Sequence, residues 1–196
     1  KRSQRIVSVK NANESPLNIA VVVQDNLDWR VNSEVKPLKE FIQSLPKGSR
    51  AMTAYLTIGG AIVTQELTTN LKQAADTLRI IRSSSFPPIF SPYDGVGDVL
   101  KHFDDKTIGR KMIIVVSDGL DMSGGYISAS PYFSTSLDRA IRNAQREGIA
   151  IFTIYAPSED RKPYGRFAIN YGQGSLIRLA DETGGESYIA GFDFIN

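Results

Sequence analysis

The sequence predicts an α/β fold: a three-layer α/β/α domain built on a doubly wound, mostly parallel sheet with one antiparallel edge strand. Three observations carry that expectation. Residues 19–23, 112–116 and 150–154 are short Val- and Ile-rich runs without polar alternation, as expected of central parallel strands covered on both faces. Segments of helical spacing lie between them, and strands alternating with helices imply a parallel sheet. Residues 51–58 run into Gly59-Gly60 and then residues 61–65, which reads as a two-residue hairpin that adds the antiparallel strand.

Taken in order, residues 5–9 are a weak strand candidate and residues 19–23 the first central strand. Val35, Leu38, Phe41, Ile42 and Leu45 recur at three and four, the stripe of an amphipathic helix. In residues 51–58, Met52, Ala54, Leu56 and Ile58 alternate with Thr53, Tyr55 and Thr57, so one face is expected to be buried. Two more stripes follow: Leu71, Ala74, Ala75 and Leu78, then Tyr93, Val96, Leu100 and Phe103. After residues 112–116 come Leu137, Ala140, Ile141 and Ala144, closed by Gly148. Leu176, Leu179 and Ala180 are closed by Gly184-Gly185, and residues 187–190 are the last strand candidate. A Gly just past a helix fits the left-handed position at its C-cap. Residues 119–134 and 157–174 read as long loops that follow central strands, at the carboxyl edge where open α/β sheets bind ligands.

Composition narrows the chemistry. With no Cys, the chain has no disulfide framework, thiolate metal site or Cys nucleophile. A single His, His102, excludes any site that needs two imidazoles. Lys+Arg of 23 against Asp+Glu of 21 is too balanced for a nucleic-acid binder. No apolar run approaches the ~18 residues of a membrane span. The 196 residues are one domain's worth of chain. The opening Lys1-Arg2-Ser3-Gln4 carries neither Met nor a leader pattern, so residues 1–15 are expected to be an extension from a longer parent.

Several motifs together carry a resemblance. The first central strand runs into Gln24, Asp25, Asn26, Leu27, Asp28 and Trp29. The turn Pro46-Lys47-Gly48-Ser49 precedes the second strand. Residues 112–121 end in Ser117-Asp118-Gly119-Leu120-Asp121, and residues 179–185 in Thr183-Gly184-Gly185. In this order and spacing they resemble the von Willebrand factor type A (VWA) family, most closely its VWFA-related Acidobacterial set. The resemblance spans residues 5 to 191.

It implies a Rossmann-like bacterial domain that is exported, binds a protein partner and performs no catalysis. It also implies a metal-ion-dependent adhesion site made by three loops at the carboxyl edge. There a Mg²⁺-like ion takes oxygens from D-x-S-x-S, a Thr of the second loop and an Asp of the third. This sequence departs from that pattern. Gln24 replaces the Asp, and Asn26 and Asp28 replace the two Ser. The Thr position falls at Phe90, or at Ser91 if the loop slips by one. Asp118 alone matches in place and type. The metal candidates are therefore Asn26, Asp28, Ser91 and Asp118, for Mg²⁺, Mn²⁺ or Ca²⁺ in an altered oxygen cage. The competing expectation is a degenerate site with no cofactor, in which Gln24 and Asn26 donate hydrogen bonds to Asp118 and Asp28.

Trp29, at the tip of the first loop, has two readings: packed over the first helix, or exposed as an interface anchor. Tyr126, Tyr132, Phe133, Tyr164, Phe167 and Tyr171 fall in the two long loops. Gln24, Trp29, Tyr126, Tyr132, Phe133 and Tyr164 are the candidate partner contacts. Enzymatic patterns are absent: Gln24-Asp25-Asn26 is not Asp-x-Asp, Gly95-Val96-Gly97 lacks a nucleotide fingerprint's third Gly, and Ser117 lies in no G-x-S-x-G.

Overall fold

The computed structural model describes residues 15–81, 90–103, 107, 109–158 and 165–189. Six strands form one sheet: β1 (Leu17–Gln24), β2 (Arg50–Thr57), β3 (Gly60–Thr68), β4 (Arg110–Ser117), β5 (Ile149–Tyr155) and β6 (Ser187–Ile189). Their spatial order is β3-β2-β1-β4-β5-β6. All neighbours are parallel except β2 and β3. The helices are α1 (Val35–Gln43), α2 (Leu71–Asp76), α3 (Pro92–Leu100), α4 (Tyr126–Ala129), α5 (Thr135–Glu147) and α6 (Gly165–Thr183). The order steps outward from β1 in both directions, which places the crevice at the carboxyl ends of β1 and β4.

Period-two geometry divides β1 between two cores. Ile19, Val21 and Val23 face α1 and α2 and pack with Ile42, Ala74, Ala75 and Leu78. Ala20 and Val22 face the other way, into a cluster with Val96, Leu137, Ile141 and Leu179 of α3, α5 and α6. This double burial explains why the central runs lack alternation. Gly148 takes the expected left-handed C-cap of α5, at φ 62°.

The structure corrects four local expectations. β2 is buried on both faces, because α2 covers Thr53 and Tyr55. The Thr53 hydroxyl bonds those of Thr64 and Thr77, and the Tyr55 hydroxyl accepts from the Arg79 N–H at 2.7 Å. The hairpin turn is shifted by one: Ile58 and Gly59 form it, and Gly60 pairs with Thr57. The loop expected over residues 157–174 is helical from Gly165 onward. A short 3-10 helix, Trp29–Glu34, and the single turn α4 occupy segments that read as loop. The strand candidate at residues 5–9, and Ala190, lie outside the described residues.

Candidate functional site

The crevice is built where the first loop leaves β1. Gln24, the last residue of that strand, is fully buried. Its Oε1 accepts from the Ser117 hydroxyl at 2.5 Å and the Asp118 N–H at 3.2 Å. Its Nε2 donates to Asn26 Oδ1 at 2.6 Å. One neutral amide thus ties the end of β1 to the end of β4 and leaves no polar atom of Gln24 unsatisfied. The Gln24 half of the expected amide-to-carboxylate pairing differs from expectation: its Nε2 turns to Asn26. The two carboxylates each have donors of their own.

Asp28 is one of them. Its Oδ1 accepts from the Arg30 N–H at 3.0 Å and Arg30 Nε at 2.8 Å, and its Oδ2 accepts from Nη2 at 2.7 Å. The guanidinium fork matches the carboxylate and supplies a fixed positive charge. The same carboxylate caps the 3-10 helix, and the Asp28 N–H donates to the Pro157 carbonyl at 2.9 Å. Asp118, at the end of β4, accepts from the Leu120 N–H at 3.0 Å and from the Ser158 hydroxyl at 2.5 Å. The pairing of Leu27 with Ser158 brings the loop after β5 across the crevice.

The second loop divides its two candidates. Phe90 is a core residue beside Tyr93 and Val96. Ser91 is buried at the N-cap position of α3, yet its side chain caps nothing, and among the described residues its Oγ has no hydrogen-bond partner. It borders a polar groove of about 450 Å³ whose wall charges Asp94 and Arg139 pair at 2.8 Å.

A hard divalent cation needs several converging oxygens with unneutralised charge. These residues do not fit that demand. Asp28 is already neutralised by Arg30, whose charge would repel an ion, and Phe90 supplies no oxygen. Among the described residues, no three of His, Cys, Asp and Glu converge on one point.

Asp121, missed as a site residue although the D-G-x-D spacing names it, organises the loop that follows. Its Oδ1 accepts from the Ser123 N–H and hydroxyl, and its Oδ2 from the Ser134 hydroxyl at 2.5 Å. Ser134 in turn caps α5 through the Leu137 N–H. The Ser128 hydroxyl closes the middle of the loop onto Asp121 and Gly125 carbonyls. On this frame Tyr126, Tyr132 and Phe133 stand exposed. Trp29 is 66% exposed, so most of its surface is open to solvent. Phe167 and Tyr171 belong to α6 and stack edge-on, 4.5 Å between centroids, with Tyr126 5.4 Å from Phe167. Tyr164 lies outside the described residues.

Two further features position Asp118. Backbone packs directly on backbone here: a Cβ at Gly172 would stand 2.0 Å from the Asp118 carbonyl oxygen, and one at Gly119 would stand 2.4 Å from the Gly172 carbonyl oxygen. The buried Tyr93 hydroxyl donates to the Gly119 carbonyl at 2.5 Å, and burial raises its pKa well above 10. Burial, with a smaller contribution from the Asp118 charge, pushes Tyr155 up to about 12. His102 is remote. It follows the far end of α3 and pairs with Glu66 of β3 at 2.9 Å, toward the amino edge of the sheet, so it forms no nucleophilic constellation with Ser117 and Asp118.

The class follows from topology and crevice together: an open α/β domain with its polar switch point sealed by its own side chains. Solved structures make the class more specific. The chain is similar to an aerotolerance-related membrane protein from Bacteroides fragilis, with TM-score 0.60, 14% identity, and coverage of 89% of this chain and 91% of that one. It is similar to BatB from Bacteroides thetaiotaomicron, with TM-score 0.61, 10% identity, and coverage of 89% and 90%. It is also similar to the SpRpn10 VWA domain, with TM-score 0.53, 12% identity, and coverage of 90% and 88%. Likeness at these identities establishes the fold, which is VWA-like. No protein-family model and no curated protein matches the chain.

Proposed function

We propose that this domain is a non-enzymatic protein-interaction module, of the adhesion or scaffold kind, that docks its partner on the carboxyl edge without a divalent cation. The observation that carries the reading is the pairing of Asp28 with Arg30 next to the exposed Trp29. The charge an ion would supply is already there, and the edge offers aromatic side chains of the kind enriched at interface hot spots. The Asp121 frame holds Tyr126, Tyr132 and Phe133 in place before binding, which lowers the ordering cost. Export is part of the reading and is supported by the likeness to a domain of a Bacteroides membrane protein. No described helix is long and apolar enough to cross a membrane.

The test is capture by the immobilised domain from the exported fraction of its source cells, in EDTA. Trp29→Ala and Tyr132→Ala are each expected to reduce recovery of the captured protein by tenfold or more, about 1.4 kcal/mol, with Ile62→Ala on β3 unchanged. Capture that disappears in EDTA overturns the reading. One observation favours a second reading, an altered Mg²⁺, Mn²⁺ or Ca²⁺ site with Asn26, Asp28, Ser91 and Asp118 as ligands: the buried Ser91 Oγ, without a hydrogen-bond partner among the described residues.

A further inference from the structure

Two ion pairs flank the first loop, and both are oriented the same way. Asp25 and Asp28 leave the loop inward, and their arginines cover them. The Asp28 side chain is 3% exposed and that of Arg30 38%. The Asp25 side chain is 18% exposed and that of Arg79 43%. Each pair is neutral in sum, and the arginine is the more exposed partner in both. An approaching charge meets the guanidinium first, because the carboxylate lies deeper and the Coulomb interaction falls with distance.

The two guanidiniums are held before any partner arrives. Arg30 is forked onto Asp28. Arg79 bonds Asp25 at 2.7 Å, donates to the Ile80 carbonyl at 3.3 Å and lies 4.2 Å above the Tyr55 ring. A second tie joins their segments: Asn32 of the 3-10 helix bonds both the Ile81 N–H, at 2.7 Å, and the Ile81 carbonyl, at 3.3 Å. Trp29 precedes one arginine and Ile80 follows the other, and each is 66% exposed. The two joined segments thus each present an arginine next in sequence to an exposed apolar side chain.

We infer that this surface binds an acidic polypeptide segment, one whose Asp or Glu carboxylates reach Arg30 and Arg79 while an apolar side chain packs on Trp29 or Ile80. The inference rests on the docking role proposed for the edge and specifies the partner's chemistry. Charge complementarity selects the segment. The outward layer is cationic, and guanidinium planes suit carboxylates. Among the described residues this surface offers two such cations, and the chain's net charge is +2, too little for the many phosphate contacts that dominate nucleic-acid affinity.

The chain's one Trp makes the test direct, because its emission and its indole N–H resonance both report this surface alone. The probe is the peptide acetyl-Glu-Leu-Glu-Glu-Leu-Glu-amide, titrated into the full chain in EDTA, beside the same peptide with Gln for every Glu. The expected result is a saturable Trp29 shift with the Glu peptide, at least about fivefold weaker with the Gln peptide and weaker again in roughly 0.5 M salt. Arg79→Gln is expected to weaken the Glu peptide about threefold, and Arg79→Lys less. These variants spare Arg30, whose loss would take the counter-charge from the buried Asp28. Equal binding of the Glu and Gln peptides overturns the inference, as does tighter binding of a single-stranded oligonucleotide or no Trp29 shift at millimolar peptide. If the Glu peptide fails while partner capture still depends on Trp29, the acidic partner is wrong and the docking edge stands. If both fail, the edge reading fails too.

Discussion

Arg30 shows how one side chain changes what a crevice can do. A buried carboxylate needs a counter-charge, and whether an ion or a guanidinium supplies it decides whether the site depends on metal. Here the guanidinium sits two residues away in sequence and bonds Asp28 through both prongs. Arg30→Gln leaves Asp28 without that charge and is expected to cost about 2 kcal/mol, below a fully buried pair because Arg30 is partly exposed. The double variant Asp28→Asn with Arg30→Gln should recover most of the loss, since two neutral amides can bond each other, and urea unfolding of the four proteins measures it. The tyrosines give a second prediction at this scale. Tyr155 titrates near 12 in the folded chain and near 10 when unfolded. Between those values the unfolded chain has lost a proton that the folded chain still holds, so stability is full below pH 10 and falls as pH rises toward 12. The melting temperature should drop through that window, and Tyr155→Phe should reduce the drop. Part of the drop should remain, because Tyr55 and Tyr93 are raised by burial as well.

Helix α6 carries the sharpest prediction at the scale of elements. Gly172 and Gly174 are two residues apart on it with different surroundings. An added Cβ at Gly172 meets the Asp118 carbonyl oxygen at 2.0 Å, whereas at Gly174 it meets only Pro131 Cγ, at an ordinary 3.4 Å. Gly172→Ala is therefore expected to destabilise by about 2–3 kcal/mol through overpacking against backbone. Gly174→Ala should be neutral or stabilising by up to about 1 kcal/mol, the helix preference of Ala over Gly. Chemical denaturation of both decides it, and opposite signs are the expected outcome. The same glycines explain which elements were legible in the sequence. The runs of β1, β4 and β5 and the stripes of α1, α3 and α5 were plain, because burial on both faces of a strand leaves an unbroken apolar run and burial on one face of a helix leaves a stripe. The first half of α6 was not, because its glycines read as breakers, and the close approach of Asp118 explains Gly172 alone. The turn over residues 29–34 and the Asp121 frame were hidden for a related reason: side chains bonding backbone hold them, and such bonds leave no periodic trace. At the site, the departure of Gln24, Asn26 and Phe90 from the metal-binding pattern was visible, and so was the edge that holds them. The Asp28–Arg30 and Asp118–Ser158 pairs were not, since they depend on how two loops meet in space.

At the scale of the whole molecule, the sheet order brings the ends of β1 and β4 and the loop after β5 to one place, and internal bonds close that place. Gln24 links β1 to β4, Asp118 links β4 to the loop after β5, and Asp28 links that loop back to the first. On the cation-free reading proposed above these bonds contribute to folding, and the domain's stability should be indifferent to divalent ions. The effect excluded is large. An ion at a hundred times its dissociation constant would stabilise the folded state by about 2.7 kcal/mol. For a domain of this length that is a rise in melting temperature of roughly 5 °C or more. Melting in EDTA, then in millimolar Mg²⁺, Mn²⁺ and Ca²⁺, should give the same midpoint within about 1 °C. Asp118→Ala removes the acceptor for the Leu120 N–H and the Ser158 hydroxyl, and should lower the midpoint by the same amount in every buffer. A rise with any one ion in the native chain that vanishes in Asp118→Ala would establish an ion site built on that carboxylate and would remove the basis for cation-free docking.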